Sequence, residues 1–78
     1  MNNSNFSPDH IRTLAYWSEK LGLINCQISL FTLYSRMISS NIVTDEEITS
    51  SAMSAIQVIR DTEKDKEMFY RTMIAWGI

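Results

Sequence analysis

From Leu14 to Ile38, side chains return at intervals that alternate between three and four residues: Leu14, Trp17, Leu21, Ile24, Ile28, Phe31, Ser35 and Ile38. Only Ser35 is polar. This is the repeat of an α-helix, which gathers such positions on one face. A second ladder keeps the same alternation through Ile48, Ala52, Ala55, Ile59, Thr62, Lys66, Phe69, Met73 and Trp76. Strands would need a period of two, and two Gly and one Pro in 78 residues offer few turns for a many-stranded sheet. The chain reads as a single all-α domain over residues 1–78.

Two helix starts use the same local chemistry. In "NIVTDEEIT" (residues 41–49) Thr44 is placed to cap, and Glu47 stands three residues on, where it can close a capping box. Val43 and Ile48 occupy the two positions of a hydrophobic staple, and Asp45, Glu46 and Glu47 put negative charge where the helix dipole favours it. In "FSPDHI" (residues 6–11) Ser7 caps, Pro8 takes the first helical position and Phe6 pairs with Ile11. His10 stands where a Glu would close the box, so that box is expected to be incomplete.

These signals give a flexible segment over residues 1–6, a helix over about 8–39, a turn over 40–43 and a helix over about 45–76. The expected fold is an antiparallel hairpin of two long helices, self-associating as a dimeric helix bundle. Two places challenge continuity. Gly22 can end a first helix at Leu21, with Asn25 capping a second. The charge run "RDTEKDKE" (residues 60–67) turns the second ladder polar at Thr62 and Lys66, with Thr62 as an alternative cap. Breaks at Gly22 and near 61–65 would make three or four helices.

Polarity is uneven along the chain. Between Leu21 and Thr44 the only charged residue is Arg36, and apolar residues also occupy the side opposite the first ladder: Leu23, Leu30, Leu33, Tyr34 and Met37. A helix apolar nearly all round is covered on more than one side. That face is expected to be covered by a partner protein, a second copy, or the N-terminal segment folding back after a break at Gly22, and Trp76 near the C-terminus to dock on the same protein or anchor a partner; Leu23, Leu30, Leu33, Tyr34, Met37 and Trp76 are the candidate partner or dimer interface. Ser51, Ala52 and Ala55 are small enough to admit Leu30, Phe31 and Tyr34 of the preceding helix.

Chemistry is sparse. His10 has no second His or Cys close in sequence to share a metal, and Cys26 gains reactivity only if a helix starts at Asn25. The carboxylates are accounted for by capping and by alternation with Arg60, Lys64 and Lys66. No catalytic, metal-binding or cofactor-binding pattern stands out, and no phosphate-cradling Gly loop occurs. Seven Lys and Arg against nine Asp and Glu, net charge −2, make a poor footprint for nucleic acid. The longest charge-free run, Leu21 to Ser35, is 15 residues and too short for a membrane span. No signal peptide is evident, and one cysteine suits the reducing cytoplasm.

The function expected is non-enzymatic protein binding, as an adaptor, regulator or inhibitor of a larger protein or complex. Small motif-free chains of this type are common among bacterial and phage accessory proteins. The alternative is a helix-turn-helix DNA-binding regulator with Gly22 in the turn. It would present Asn25, Gln27 and Ser29, with no Arg or Lys before Arg36.

Overall fold

A computed structural model describes residues 6–39 and 42–77, and among these every regular element is helical. The order is α1 (Pro8–Lys20), α2 (Ile24–Ile38), α3 (Asp45–Thr62) and α4 (Lys66–Ala75). Both candidate breaks are real, so the two long helices of the sequence reading become four. Residues 1–5 of the expected flexible segment, and Ser40 and Asn41 of the expected turn, lie outside the described residues. Phe6 is buried.

The first break is a Schellman ending. The Leu23 N–H donates to the Ser18 carbonyl at 2.8 Å and the Gly22 N–H to that of Glu19 at 3.1 Å, with Gly22 at φ 76°. These bonds satisfy the last carbonyls of α1, and a left-handed residue without Cβ makes the geometry cheap. Leu23, not Asn25, is the N-cap of α2, and it supplies no side-chain hydrogen bond. A Cβ at Gly22 would meet nothing within 4 Å, so only backbone strain opposes it. Gly22→Ala is therefore expected to lower stability by about 1–2 kcal/mol, read from the urea midpoint. An unchanged midpoint would contradict this account of the turn.

At the second break the chain leaves helix at Glu63 (φ −67°, ψ 129°). Asp65 then caps α4, its Oδ1 accepting from the Met68 N–H at 3.1 Å. The Thr62 hydroxyl donates back to the Val58 carbonyl at 2.8 Å, so Thr62 ends α3 and does not start α4. The polar rungs Thr62 and Lys66 fall at this interruption, where no apolar side holds a continuous helix to the core.

The two helix starts exchange their expected degree of completion. At Ser7 the box closes: the His10 N–H donates to Ser7 Oγ (3.4 Å) and the Ser7 N–H donates to His10 Nδ1 (3.1 Å). A ring nitrogen does what a Glu carboxylate would have done. At Thr44 the hydroxyl accepts from the Glu47 N–H (3.1 Å), but the Glu47 carboxylate turns to Arg36, at 2.5 and 3.4 Å. That ion pair ties α2 to α3 and takes up the one cation of the sparsely charged segment.

The core draws on all four helices: Ile11, Leu14 and Trp17 from α1, Leu30 and Leu33 from α2, Ile48, Ala52, Ala55, Ile56 and Ile59 from α3, Phe69 and Met73 from α4. Both staple pairs contribute, with Phe6 and Ile11 buried, Ile48 buried and Val43 packed beside it. Helices α1 and α2 share the most extensive contact, as a three-residue connection between them allows. The principal extents are 35 × 26 × 16 Å. With helices about 10–12 Å across, a molecule this shallow in one direction cannot enclose α2 on every side.

Candidate interaction surface

The break at Gly22 resets the phase of the first ladder. A continuous helix would keep Leu14, Trp17, Ile24 and Ile28 on one face. Once the chain turns back at Leu21–Leu23, α2 meets α1 with its other face. Leu30 and Leu33 are buried, at 2% and 4% exposure. Leu23, Cys26, Tyr34 and Met37 are half-buried against the same core. Meanwhile Ile24, Ile28 and Ile38, ladder residues expected inside, are 63%, 59% and 57% exposed. The prediction that α2 is apolar on two sides holds, but its inside and outside faces are exchanged.

The expected contact residues therefore do not form one outer surface. Leu30 and Leu33 belong to the protein's own core, and Leu23, Tyr34 and Met37 flank it. Trp76 folds back onto the start of α1, its ring 4.5 Å from that of His10. What lies outward is a strip of Ile24, Ile28, Ser35 and Ile38, with Phe31 half-buried at its edge and packed against the core. Helical geometry places these within about 40° of a single line along α2. Tyr16 of α1 borders the strip, its ring edge-on to Phe31 at 6.3 Å. The signal for this strip was present in the sequence as the 3–4 ladder itself, read with the wrong sign.

No charged residue lies on the strip. Arg36 is held by Glu47, and Arg12, the nearest cation on the Tyr16 face of α1 toward its N-terminus, pairs with Asp9 at 3.4 Å. A smaller apolar spot occurs on α4, where Tyr70 and Ile74 are exposed one turn apart. Between α2 and α3 runs an open hollow of about 380 Å³, lined by Asn25, Cys26, Ser29, Ser51 and Ser54 over Leu30 and Ala55. The small residues of α3 do face α2, as their size suggested, yet they leave this groove partly open.

The reactive side chains are engaged locally. Ser18, fully buried, donates from its hydroxyl to the Leu14 carbonyl (2.9 Å) and lies 3.2 Å from Cys26 Sγ. Cys26 thereby joins α1 to α2. His10 is held between the Ser7 N–H and Trp76. Glu67 pairs with Arg71 at 2.8 Å across one turn. Among the described residues no three His, Cys, Asp or Glu gather as metal ligands would, and no helix is long and apolar enough to cross a membrane. No protein-family model, curated protein or solved structure matches this chain.

Proposed function

We propose that this protein is a non-enzymatic helical interaction module, an adaptor, regulator or inhibitor that works by binding another protein chain through the outer face of α2. The observation that carries this reading is the uncharged strip of Ile24, Ile28 and Ile38, each more than half exposed on one helix. Contiguous exposed apolar surface on a small domain marks a binding site. The strip sits on a rigid helix that also contributes Leu30 and Leu33 to the core, so it is presented without an ordering cost. A reducing cytoplasmic setting goes with this reading, since Cys26 packs against Ser18 as a thiol.

The test is capture from cell extract by immobilised wild-type chain and by Ile28→Asp, with far-UV circular dichroism confirming equal helicity. Loss of specifically captured protein in the variant is expected. Identical capture by the two would overturn the reading.

The turn at Gly22 is what the helix-turn-helix alternative required, and it favours keeping that reading as second. Its recognition helix would be α2, whose outward side presents Ile24, Asn25, Ile28, Ser29 and Thr32 with no free cation. Phosphate contacts supply the sequence-independent part of DNA affinity. A mobility-shift titration with mixed duplex DNA at low salt separates the two readings, with no shift expected from the interaction module.

A further inference from the structure

We infer that α4 with Trp76 is a hinged strap, which opens as a unit about residues 63–65 while α1, α2 and α3 stay folded, and which covers a groove along α1 that receives an amphipathic helix. The strap uses none of the residues of the α2 strip.

Helices α1, α2 and α3 each lie close against the other two, and α4 comes as near to none of them. Polar ties also join the first three: Ser18 to Cys26 between α1 and α2, Arg36 to Glu47 between α2 and α3. Among the described residues no ion pair joins α4 to another helix, and that of Glu67 with Arg71 stays within it. Across to α3, the exposed Lys66 ammonium donates to the Arg60 carbonyl.

At the junction both helix ends are satisfied locally. The Glu63 N–H donates to the Ile59 carbonyl at 2.7 Å, which closes α3, and Asp65 caps α4 through the Met68 N–H. Turning about the three residues between them therefore breaks no backbone hydrogen bond from one helix to another.

What holds α4 down is side chains spaced i, i+4 and i+7: Phe69 and Met73 are buried and Trp76 is half-buried, while Tyr70, Arg71 and Ile74 are exposed. An amphipathic helix seats in a groove by this spacing. Phe69 stacks on Trp17 and Trp76 meets His10, so α4 runs antiparallel along two turns of α1. His10, Leu14 and Trp17 repeat the spacing on the receiving side, and the register brings Met73 level with the buried Leu14. A helix of 10 residues does not persist alone in water, so α4 released from Trp17 melts and its amides become exchangeable together. The seat it uncovers fits a partner helix with large apolar residues at the same three positions as α4.

Native-state hydrogen exchange on the intact chain tests the strap. The amides of residues 70–76 are expected to exchange as one group, at least tenfold faster than the slowest amides of α1 and α3. Ile48→Val, at the end of α3 far from the hinge, should speed those slowest amides about two- to tenfold and leave the α4 group unchanged. Exchange in α4 as slow as in α1 and α3 overturns the strap. So does a gradient that only frays inward from Trp76, or an α4 group that speeds up with Ile48→Val. A fluorescein-labelled peptide of residues 64–77 tests the groove. A closed strap lowers the apparent affinity by the fraction open. The Phe69→Ala chain is therefore expected to bind the peptide at least tenfold more tightly than wild type, and the peptide carrying Phe69→Ala to bind neither chain. Equal binding by the two chains, no binding, or a peptide that binds as well without its Phe69 overturns the groove. A Phe69→Ala chain that loses the helix of α1, α2 and α3 by circular dichroism overturns the strap.

Discussion

Replacing Leu30 with Asp is expected to leave the chain unfolded at room temperature. Leu30 is nearly inaccessible and packs where α2 meets the rest of the core. Truncating a buried leucine costs about 2–5 kcal/mol in lost transfer energy and cavity formation. The carboxyl adds a desolvation penalty of several kcal/mol, because no buried cation stands ready for it. Arg36, the cation of α2, is already committed to Glu47. A chain of this length has roughly 4–12 kcal/mol of total stability. The combined cost consumes most or all of that, so circular dichroism should show loss of helix and Trp17 fluorescence should move to the red. A folded Leu30→Asp chain would mean that this face of α2 is not inside.

Phe69→Ala is expected to cost about 3–5 kcal/mol, a fall in Tm of roughly 12–40 °C for a domain this small. Phe69 is the main anchor of α4. Its ring stacks on Trp17 at 5.6 Å with 29° between planes, and it is buried where Tyr70 beside it is not. Other holds on α4 include Met73, also buried, the Lys66 ammonium donating to the Arg60 carbonyl of α3, and the contact of Trp76 with His10. With Phe69 truncated, α4 loses its most buried side chain. Calorimetry checks the size of the effect, and near-ultraviolet circular dichroism of Trp17 checks its cause. A loss below about 1 kcal/mol would show that α4 is peripheral to the core.

The helical class and the helix starts were legible in residues 6–11 and 41–49 because capping is local chemistry. Ser7, Thr44 and both staple pairs act within one turn of the positions that signal them. The partner of Glu47 was not legible, since Arg36 lies eleven residues away and its approach depends on how α2 meets α3. The helix count turned on two weak points whose outcome is tertiary. Gly22 costs about 1 kcal/mol in a helix interior, an amount that packing readily outweighs in either direction. Here the chain gains a two-helix core by turning at Leu21–Leu23. That one turn also decided which residues are available to a partner. A ladder of 3–4 spacing says that Ile24, Ile28 and Ile38 share a face. It does not say whether that face looks inward, and on a helix apolar on both sides no polar residue breaks the tie. Leu30 and Leu33 could therefore be read as a partner surface or as covered by the N-terminal segment turning back at Gly22, and they lie in the core with α1 against α2.

Urea unfolding of Ile28→Asp tests the phase of α2 most directly. The measurement belongs at low micromolar concentration, so that linkage to any association does not enter the unfolding free energy. With Ile28 on the surface, the aspartate remains hydrated, and the unfolding free energy should fall within about 1 kcal/mol of wild type. A loss above about 3 kcal/mol would place Ile28 in the core, as an uninterrupted ladder from Leu14 to Ile38 requires, and would contradict the fold and the surface derived from it.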